Sequence, residues 1–477
     1  MDLLLTHGYF LQEDAQERRL MKPYPPLGIL YLSSHLKRAG FSVRLFDSTF
    51  QTFDAFRAWI ARERPPIVGI ACNLMTKRSV VRMIPVCRSH GALVVLGGPE
   101  PASYAEQYLD AGADVIVSGE GERTLEELLP LLTRKPAARD LGHVQGIVYR
   151  DERGAIVRTP PRPLIPVLDD QPFPDREAID LETYLDTWRR HHGQASASLI
   201  TARGCPYTCR WCSRSVFGET HRRRSVANVA DEVEQIVDRY HPDMLWYADD
   251  VFTIHHGWIL KYAAELERRR LRVPFECISR ADRITPAIAD ALARLGCRRL
   301  WIGSESGSQR ILDAMERGVT VGAVQDATQL LRGRGIQVGM FIMLGYAGEE
   351  LQDLEATVDH LKRAAPDVFL TTVAYPIKGT PYYDEVRDEI DAPGTWSTRT
   401  DRDLRIRNRP GRAYYQFARR WMTAEVARDR YRRNGRRLRA ARSAVSALVG
   451  RAGMALLSAR PPTSESRLPN PESHRLP

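Results

Sequence analysis

The chain has 477 residues, of which 43% are hydrophobic and 27% charged, a balance that is typical of globular domains and excludes a largely disordered protein. No apolar run approaches the roughly 18–20 residues of a membrane span, and the N-terminus lacks the features of a secretory signal, so we expect a cytoplasmic protein. The net charge of +10 is uneven, because residues 401–477 carry 19 Arg, no Lys and 6 acidic residues, which leaves the rest of the chain slightly acidic.

Residues 1–135 predict a doubly wound, Rossmann-like α/β domain. Short β-rich runs alternate with helical patterns, and helical crossovers imply parallel strands. Such sheets bind ligands at the carboxyl ends of their strands, where Gly97-Gly98-Pro99 and Gly119-Glu120-Gly121 lie in this sequence. The predicted strands are Leu3–Thr6, Val43–Phe46, Ile67–Cys72, Leu93–Leu96 and Val115–Val117, and the clearest helices are Leu27–Arg38 and Tyr104–Ala111.

Residues 136–192 interrupt this alternation and are predicted to connect two domains. Six prolines between Pro160 and Pro174 are incompatible with a regular helix. The runs Val144–Tyr149 and Ala155–Arg158 flank a turn at Gly154 and predict a β-hairpin.

Strand–helix alternation returns in residues 193–390. Six βα units predict a (βα)6 partial TIM barrel, and another doubly wound sheet is the alternative. The predicted strands are Ser198–Thr201, Met244–Ala248, Arg272–Ile278, Arg299–Gly303, Val338–Leu344 and Val368–Ala374, and the helices are Val226–Tyr240, Trp258–Arg269, Pro286–Leu295, Ser308–Met315, Ala323–Arg332 and Glu350–Lys362.

Residues 391–459 form an Arg-rich helical C-terminal region, and residues 460–477 are predicted to be a disordered tail rich in Pro and Ser. Helical tendency covers Ala413–Arg442, and Ser443–Leu457 is a short amphipathic segment. The arginines suit nucleic acid or an anionic lipid surface, but we favour a helical appendage that packs on the second domain. The packing residues would be Tyr414, Tyr415, Phe417 and Trp421, and the stripe for a lipid surface would be Ala444, Val445, Ala447, Leu448, Val449, Met454, Leu456 and Leu457.

Three of the seven cysteines lie within eight residues, directly after the first strand of the second domain. Cys205, Cys209 and Cys212 have the spacing C-x3-C-x2-C. Three thiolates on one loop can bind three irons of a [4Fe–4S] cube and leave the fourth iron open. A structural zinc site is an alternative, but zinc takes four ligands, and His191 and His192 are distant in sequence. Three incidental thiols are the remaining alternative.

With this motif the chain resembles a radical S-adenosylmethionine (SAM) enzyme, from the subfamily that carries an N-terminal cobalamin-binding domain. That subfamily includes carbon methyltransferases and the anaerobic magnesium-protoporphyrin ester cyclases, and the resemblance covers residues 1 to about 390. It implies that SAM binds the open iron through its amino and carboxylate groups. An electron from a donor such as flavodoxin or ferredoxin then splits SAM into methionine and a 5′-deoxyadenosyl radical, which abstracts a substrate hydrogen.

The resemblance implies five SAM-binding residues. Trp211 would lie beside the adenine, or else simply pack in the core. Asp250, in an Asp-Asp-x-Phe stretch, would face the site or cap a helix. Arg280 would pair with the SAM carboxylate. Glu305, at the end of the fourth strand, would contact the amino group or ribose, and Gly345 would lie near the adenine.

The first domain lacks the Asp-x-His-x-x-Gly motif whose His coordinates cobalt in many cobalamin proteins, and His7 does not have the required spacing. The resemblance therefore implies base-off cobalamin without a His ligand. A domain that binds nothing is the alternative. The basic run Arg222–Arg224 is expected to be solvated or to face an anion. The candidate cobalamin contacts are Pro26, Leu27, Asn73, Leu74, Met75, Thr76, Gly97, Gly98, Glu100, Gly119, Glu120 and Gly121.

The leading functional hypothesis is methylation of an unactivated carbon in a small molecule such as a natural product, lipid or tetrapyrrole. One SAM would supply the methyl group by way of cobalamin, and another would supply the radical. Cyclisation, ring contraction or hydroxylation with the same cofactors is the alternative. A nucleic-acid-binding protein with a structural metal is a third, less favoured hypothesis.

Overall fold

The structure is a computed structural model that describes residues 1–134 and 140–458. The chain divides into two compact units. The first comprises residues 1–207, 213–250 and 394–402, and the second comprises residues 208–212, 251–393 and those from 403 onward. No helix in the described part of the chain has the length and apolar character needed to cross a membrane.

The first unit contains a seven-stranded sheet in the order β2-β1-β3-β4-β5-β6-β7, in which the first five strands are parallel. Its strands are apolar on both faces because helices cover both sides, and alternate residues enter two separate cores. The strands are β1 (Leu3–His7), β2 (Val43–Phe46), β3 (Ile67–Ala71), β4 (Leu93–Gly97), β5 (Val115–Val117), β6 (Ile147–Arg150) and β7 (Ile156–Arg158); the helices are α1 (Ala15–Leu20), α2 (Leu27–Arg38), α3 (Phe53–Glu63), α4 (Lys77–Ser89), α5 (Ala105–Asp110) and α6 (Glu122–Leu132).

All five strands predicted for this domain are present, each within one residue of its predicted bounds. The hairpin predicted in the connecting region also forms, but as strands β6 and β7 it is part of the sheet. Strand β6 pairs antiparallel with β5, Val115 opposite Tyr149, so it satisfies an edge that would otherwise expose unpaired backbone groups.

The first unit also holds the beginning of the predicted barrel. Strand β8 (Ser196–Leu199) pairs in parallel with β11 (Met244–Tyr247), and the two-residue strands β9 (Ala202–Arg203) and β10 (Arg222–Arg223) form an antiparallel pair. Two helices accompany them, α7 (Leu181–His192) and α8 (Val226–Tyr240).

The second unit contains the other four barrel strands, which pair in parallel in chain order. All six predicted βα units are therefore present, and the α/β fold class is confirmed. The strands are β12 (Phe275–Ser279), β13 (Cys297–Glu305), β14 (Gln337–Leu344) and β15 (Val368–Val373), with a small antiparallel pair β16 (Ile390–Asp391) and β17 (Arg405–Ile406); the helices are α9 (His256–Arg269), α10 (Pro286–Leu295), α11 (Gln309–Ala314), α12 (Val321–Arg332), α13 (Leu351–Ala364) and α14 (Pro381–Val386).

The C-terminal region forms a hairpin of two 22-residue helices, α15 (Arg412–Arg433) and α16 (Arg437–Ser458). The helical tendency predicted over Ala413–Arg442 is confirmed, but a chain reversal at Gly435, which has a φ of +70°, divides the segment between the two helices. Of the four aromatic residues predicted to pack this region on the second domain, Tyr414 is buried and Tyr415 packs against Gly345 after β14. Phe417 and Trp421 pack on α16 instead, so that part of the prediction is wrong. The tail predicted for residues 460–477 lies outside the described residues.

A short segment near the C-terminal region, residues 394–402, belongs to the first unit. The Trp396 ring meets the Tyr108 ring edge-on at 4.7 Å, and the Tyr104 hydroxyl donates to Asp401. The ammonium of the buried Lys77 lies 4.3 Å from the Trp396 ring centroid and 3.7 Å from the Glu100 carboxylate. The segment thus covers charged groups that lie beside the ends of β3 and β4.

Candidate active site

Cys205, Cys209 and Cys212 lie on one loop whose two ends are held together by strands β9 and β10. Gly204 begins the loop with a φ of +87°, and a Cβ there would lie 2.3 Å from the carbonyl oxygen of Thr220. Only glycine fits this conformation and this close approach. The cysteine side chains range from buried Cys209 to exposed Cys212.

In the first unit, Asp249 holds the residues on either side of the cysteine loop, Thr201 before it and Arg223 after it. Its carboxylate accepts hydrogen bonds from the Thr201 amide at 2.7 Å and from the Thr201 hydroxyl, and it pairs with Arg223 at 3.1 Å. It is 3% exposed, so this buried charge is compensated by several donors. The sequence singled out its neighbour Asp250 instead, which is exposed.

The second part of the loop is held within the second unit. The Arg210 amide donates to the Met315 carbonyl at 3.2 Å, and the Arg210 carbonyl accepts from the Tyr382 amide at 3.0 Å. The Arg210 side chain pairs with Glu316 at 2.9 Å and Glu385 at 3.1 Å. Backbone and side chain therefore both fix the segment between Cys209 and Cys212.

Arg317 brings a positive charge to the cysteine loop. Its Nη1 lies 3.8 Å from the Cys209 Sγ, and its Nη2 donates to the Gly303 carbonyl at 2.9 Å. Its Nε is 3.9 Å from the Glu305 carboxylate. A Cβ at Gly303 would lie within 3 Å of the side-chain ends of both Glu305 and Arg317, so a larger residue there would displace them from their present positions.

Glu305 is held in an unusual state at the end of β13. Its φ is +61°, a left-handed conformation that costs a non-glycine residue energy and is often found at functional sites. Burial raises the pKa of Glu305 to about 7, although Arg317 acts in the opposite direction. A thiolate, a guanidinium and a poorly stabilised carboxylate therefore adjoin one another in the second unit.

The donor set fits an iron–sulfur cluster better than one metal ion. Within residues 1–134 and 140–458, no three His, Cys, Asp or Glu side chains are placed to share a single ion. Zinc needs its ligands gathered round one centre, whereas a cube is bound by thiolates that each reach a different iron. The nearby guanidinium also suits a cluster that carries negative charge.

Glycines at the carboxyl edge of the first sheet provide a second candidate binding surface. A Cβ on Gly97 or Gly119, at the ends of β4 and β5, would make only ordinary contacts, at 3.9 Å with Val117 and 3.8 Å with the Val216 carbonyl oxygen. Gly98 has a φ of +103°, and a Cβ there would lie 2.4 Å from the Cys72 carbonyl oxygen. Parallel α/β sheets bind ligands at this edge, so the cobalamin contacts predicted there stay a prediction.

Two family models match these two regions. Residues 199–361 match the radical SAM superfamily, and residues 20–129 match the B12 binding domain. The chain belongs to the cobalamin-dependent radical SAM enzymes. Its cofactors are therefore a [4Fe–4S] cluster, SAM and cobalamin.

Relatives match most of this radical SAM enzyme. An uncharacterized methyltransferase of Pyrococcus horikoshii is 29% identical over 77% of this chain and 80% of its own length. The anaerobic magnesium-protoporphyrin IX monomethyl ester cyclase of Rubrivivax gelatinosus is 26% identical over 77% of this chain and 67% of its own. A solved structure of the radical SAM methyltransferase TsrM of Kitasatospora setae, with cobalamin and a [4Fe–4S] cluster bound, is also similar. Its TM-score is 0.67 at 23% sequence identity, and the match covers 82% of this chain and 76% of the TsrM chain.

The residues predicted to bind SAM have different surroundings. Glu305 lies 3.9 Å from Arg317, and its contact with SAM stays a prediction. The guanidinium near Cys209 comes from Arg317, which the sequence did not indicate. Arg280 is buried and pairs with Asp282 at 2.9 Å. Trp211 packs against the apolar cluster that contains Tyr346.

Two further predicted SAM contacts are clarified by their neighbours. Gly345 has a φ of +74°, its carbonyl accepts from Arg409 at 2.8 Å, and the Tyr415 ring packs against it. Asp250 does not cap a helix, because α9 begins at His256 with His255 as its N-cap. The exposed Asp250 carboxylate therefore stays available for a ligand.

Several predicted cobalamin contacts use their side chains within the protein. The buried Glu100 accepts from the Tyr108 hydroxyl, and burial raises its pKa. Asn73 accepts from the backbone amides of Met75 and Thr76 and thus shapes its own turn. Leu74 lies in the same turn, and Pro26 and Leu27 lie at the start of α2. These three predicted contacts are uncharged residues.

The expectation of a solvated basic run at Arg222–Arg224 is wrong. Arg222 pairs with Glu120 at 2.8 Å, Arg223 pairs with Asp249 and Arg224 with Glu232. Glu120 also pairs with Arg203 at 2.7 Å. The Glu120 carboxylate is thus paired with two guanidinium groups. Gly119 and Gly121 are the other cobalamin contacts predicted in this turn.

His7 is similarly committed within the protein. Its Nε2 lies 2.9 Å from Asp47, and its Nδ1 accepts from the Tyr9 amide at 3.2 Å. Both ring nitrogens therefore have partners. This supports the expectation that His7 does not coordinate cobalt.

Gly98→Ala is expected to weaken both folding and cobalamin retention, because the new Cβ would clash with the Cys72 carbonyl. Gly40→Ala is the matched control, since Gly40 has a similar φ of +93° and no atom within 4 Å of its Cβ position. Gly40→Ala should lower the free energy of unfolding by about 1–2 kcal/mol from backbone strain alone, and Gly98→Ala should lower it clearly more. Urea unfolding and bound cobalamin measure the two effects; equal losses in both variants would contradict the close-contact argument.

Proposed function

We propose that this enzyme methylates an unactivated carbon of a small molecule. When bound, the cluster supplies the electron that cleaves SAM, and cobalamin carries the methyl group. In each turnover one SAM loses its methyl group and leaves as S-adenosylhomocysteine. A second SAM is split into methionine and 5′-deoxyadenosine, which takes up the hydrogen that the methyl group replaces.

The arrangement of Cys209, Arg317 and Glu305 is the observation that carries the radical step of this proposal. The amino-acid part of SAM is a zwitterion, and a guanidinium and a carboxylate here adjoin a cluster thiolate. Arg317 would bind the SAM carboxylate, and Glu305 would bind its ammonium group. The Gly303 carbonyl accepts from the guanidinium and holds it in place, so Arg317 would present a fixed partner to the SAM carboxylate.

The choice of methyl transfer is supported by the relatives. The Pyrococcus relative is named as a methyltransferase and matches along four-fifths of its length. The Rubrivivax relative is named as a cyclase, so cyclisation or another rearrangement is the second candidate. A natural product, lipid or tetrapyrrole is the proposed substrate class.

Partners beyond the small-molecule substrate are part of the proposal. Each turnover would consume two electrons, one for the cleavage of SAM and one to return cobalamin to the reduced form that accepts the next methyl group, and a flavodoxin or ferredoxin is the proposed donor of both. Contact of the basic C-terminal region with a membrane is proposed as well, whereas nucleic acid is not, since family membership accounts for the metal-binding motif.

Reduced holoenzyme incubated with methyl-labelled SAM tests methyl transfer before the substrate is known. A methyltransferase should release S-adenosylhomocysteine and retain about one label per bound cobalamin, because cobalamin takes the methyl group first. Protein without cobalamin is the control. With a cell extract of small molecules added, label should then enter one product. Formation of 5′-deoxyadenosine without S-adenosylhomocysteine would favour the cyclase reaction instead.

A further inference from the structure

The outward face of α16 is an uncharged apolar stripe. Leu438, Val445, Leu448 and Leu456 are between 62% and 84% exposed. At 1.5 Å per residue the stripe is about 27 Å long. Its spacing of three and four residues places its members on one side of the helix, and they are Leu438, Ala441, Val445, Leu448, Val449, Ala452, Ala455 and Leu456.

The opposite face of α16 is fixed to α15 by close packing. A Cβ on Gly450 would lie 2.7 Å from Trp421, and one on Gly453 would lie 2.4 Å from the Phe417 ring. Ala447 and Met454 are buried on the same side. Helix α16 therefore cannot rotate its apolar stripe inward without losing these contacts.

The hairpin is in turn anchored to the barrel helix α13. Glu425 of α15 accepts from Lys362 at 2.8 Å, Arg433 donates to the Lys362 carbonyl at 3.0 Å, and Arg451 of α16 pairs with Glu355. The stripe is thus held facing outward on a rigid support.

Positive charge adjoins one end of the stripe. Residues 430–442, which join the two helices, contain seven Arg and no acidic residue. Arg436, Arg437 and Arg442 are exposed. An apolar helix face bordered by arginines is typical of helices that lie in the interface of an anionic bilayer.

We propose that α16 docks this enzyme on the surface of an anionic lipid bilayer, with the apolar stripe inserted among the lipids and the arginines contacting the headgroups. A second copy of the chain fits less well. A helix face about 27 Å long and about 10 Å wide would bury roughly 300 Å² per copy, well below the roughly 800 Å² of a stable interface. Nucleic acid would use the arginines but leave the stripe exposed.

Sedimentation of the full chain with vesicles tests this proposal. We expect binding to vesicles that contain phosphatidylglycerol, weaker binding to phosphatidylcholine alone, and a loss of binding at high salt. The double variant Leu448→Glu/Leu456→Glu should lower binding at least about tenfold, since each buried leucine contributes strongly to partitioning. Arg436→Gln/Arg437→Gln should remove part of the salt-sensitive binding.

Leu260→Glu/Leu351→Glu is the matched control, because both leucines are 40% exposed on other helices and should not affect vesicle binding. The proposal is overturned if full-length protein does not bind the anionic vesicles, or if both double leucine variants bind as the parent does. If the protein bound vesicles only after removal of residues 459–477, the proposal would also be overturned, and that segment would be identified as the occupant of the stripe. Self-association in place of vesicle binding, lost in Leu448→Glu/Leu456→Glu, would instead assign the stripe to a second copy.

Discussion

Cys209→Ala is expected to abolish cluster assembly and SAM cleavage while leaving cobalamin bound. Cys209 is the buried member of the three, and its Sγ is the atom next to Arg317. A cube that loses one of three protein thiolates keeps too few ligands to persist. Iron and sulfide content, visible absorbance and the paramagnetic signal after dithionite reduction should all fall to background, and 5′-deoxyadenosine formation with them.

Cys297→Ala is the matched control for that experiment. Cys297 is also buried, at the start of β13, but it is not part of the cysteine loop. The Cys297→Ala variant should be somewhat less stable, because the substitution leaves a small cavity, and it should keep its iron. The same comparison applies to Cys205→Ala and Cys212→Ala. Retention of iron and of SAM cleavage in the Cys209 variant would contradict the site.

Glu305→Gln is expected to make the cofactor-free protein more stable at alkaline pH and to weaken SAM binding at the same time. Burial raises the pKa of Glu305 to about 7 from 4.5, so the folded state binds more protons than the unfolded state between these values. The contribution of Glu305 to the free energy of unfolding is therefore fully present below about pH 4.5 and is lost as the pH rises towards 7. Glutamine lacks the charge, so the variant should gain on the order of 2 kcal/mol above pH 7 and little at pH 4.

Binding should change in the opposite sense, because a neutral amide pairs poorly with the SAM ammonium group. We expect SAM affinity to fall by about tenfold or more. Glu276→Gln is the control, since Glu276 is a carboxylate that pairs with Arg299 at 3.1 Å on β12. It should neither stabilise the protein above pH 7 nor weaken SAM binding. Urea unfolding at the two pH values and equilibrium binding of SAM measure the effects, and stability independent of pH in both forms would contradict the assignment.

Local patterns predicted the fold well because strands and helices carry their own periodicity. The bounds of Val43–Phe46, Leu27–Arg38 and Pro286–Leu295 agree with the structure residue for residue. The C-terminal hairpin was misjudged because the Asn434-Gly435 turn lies within a continuous arginine-rich run. A polar helix gives little periodic signal by which to recognise a reversal.

The site was predicted where its residues are adjacent in sequence. The three cysteines were predicted from their spacing, whereas the glycines at the ends of β4 and β5 were predicted as cobalamin contacts only from the family resemblance. Charged side chains were harder to assign, because a single Arg or Glu carries no information about its partner. Arg222–Arg224 were expected to be solvated or to face an anion, yet they pair with carboxylates inside the protein. Arg280 pairs with Asp282, and its SAM contact stays a prediction.

The cysteine motif and the order of strands and helices could be predicted from short spacings, and the family from its resemblance to several such motifs, because these patterns do not depend on knowing which residues touch. The pairing of charges became visible only in the folded chain. Arg317 reaches Cys209 across 108 residues, and Asp401 reaches Tyr104 across 297. Such pairs form because parallel strands bring the ends of distant segments to one edge, and because a buried charge must find a partner wherever the fold supplies one.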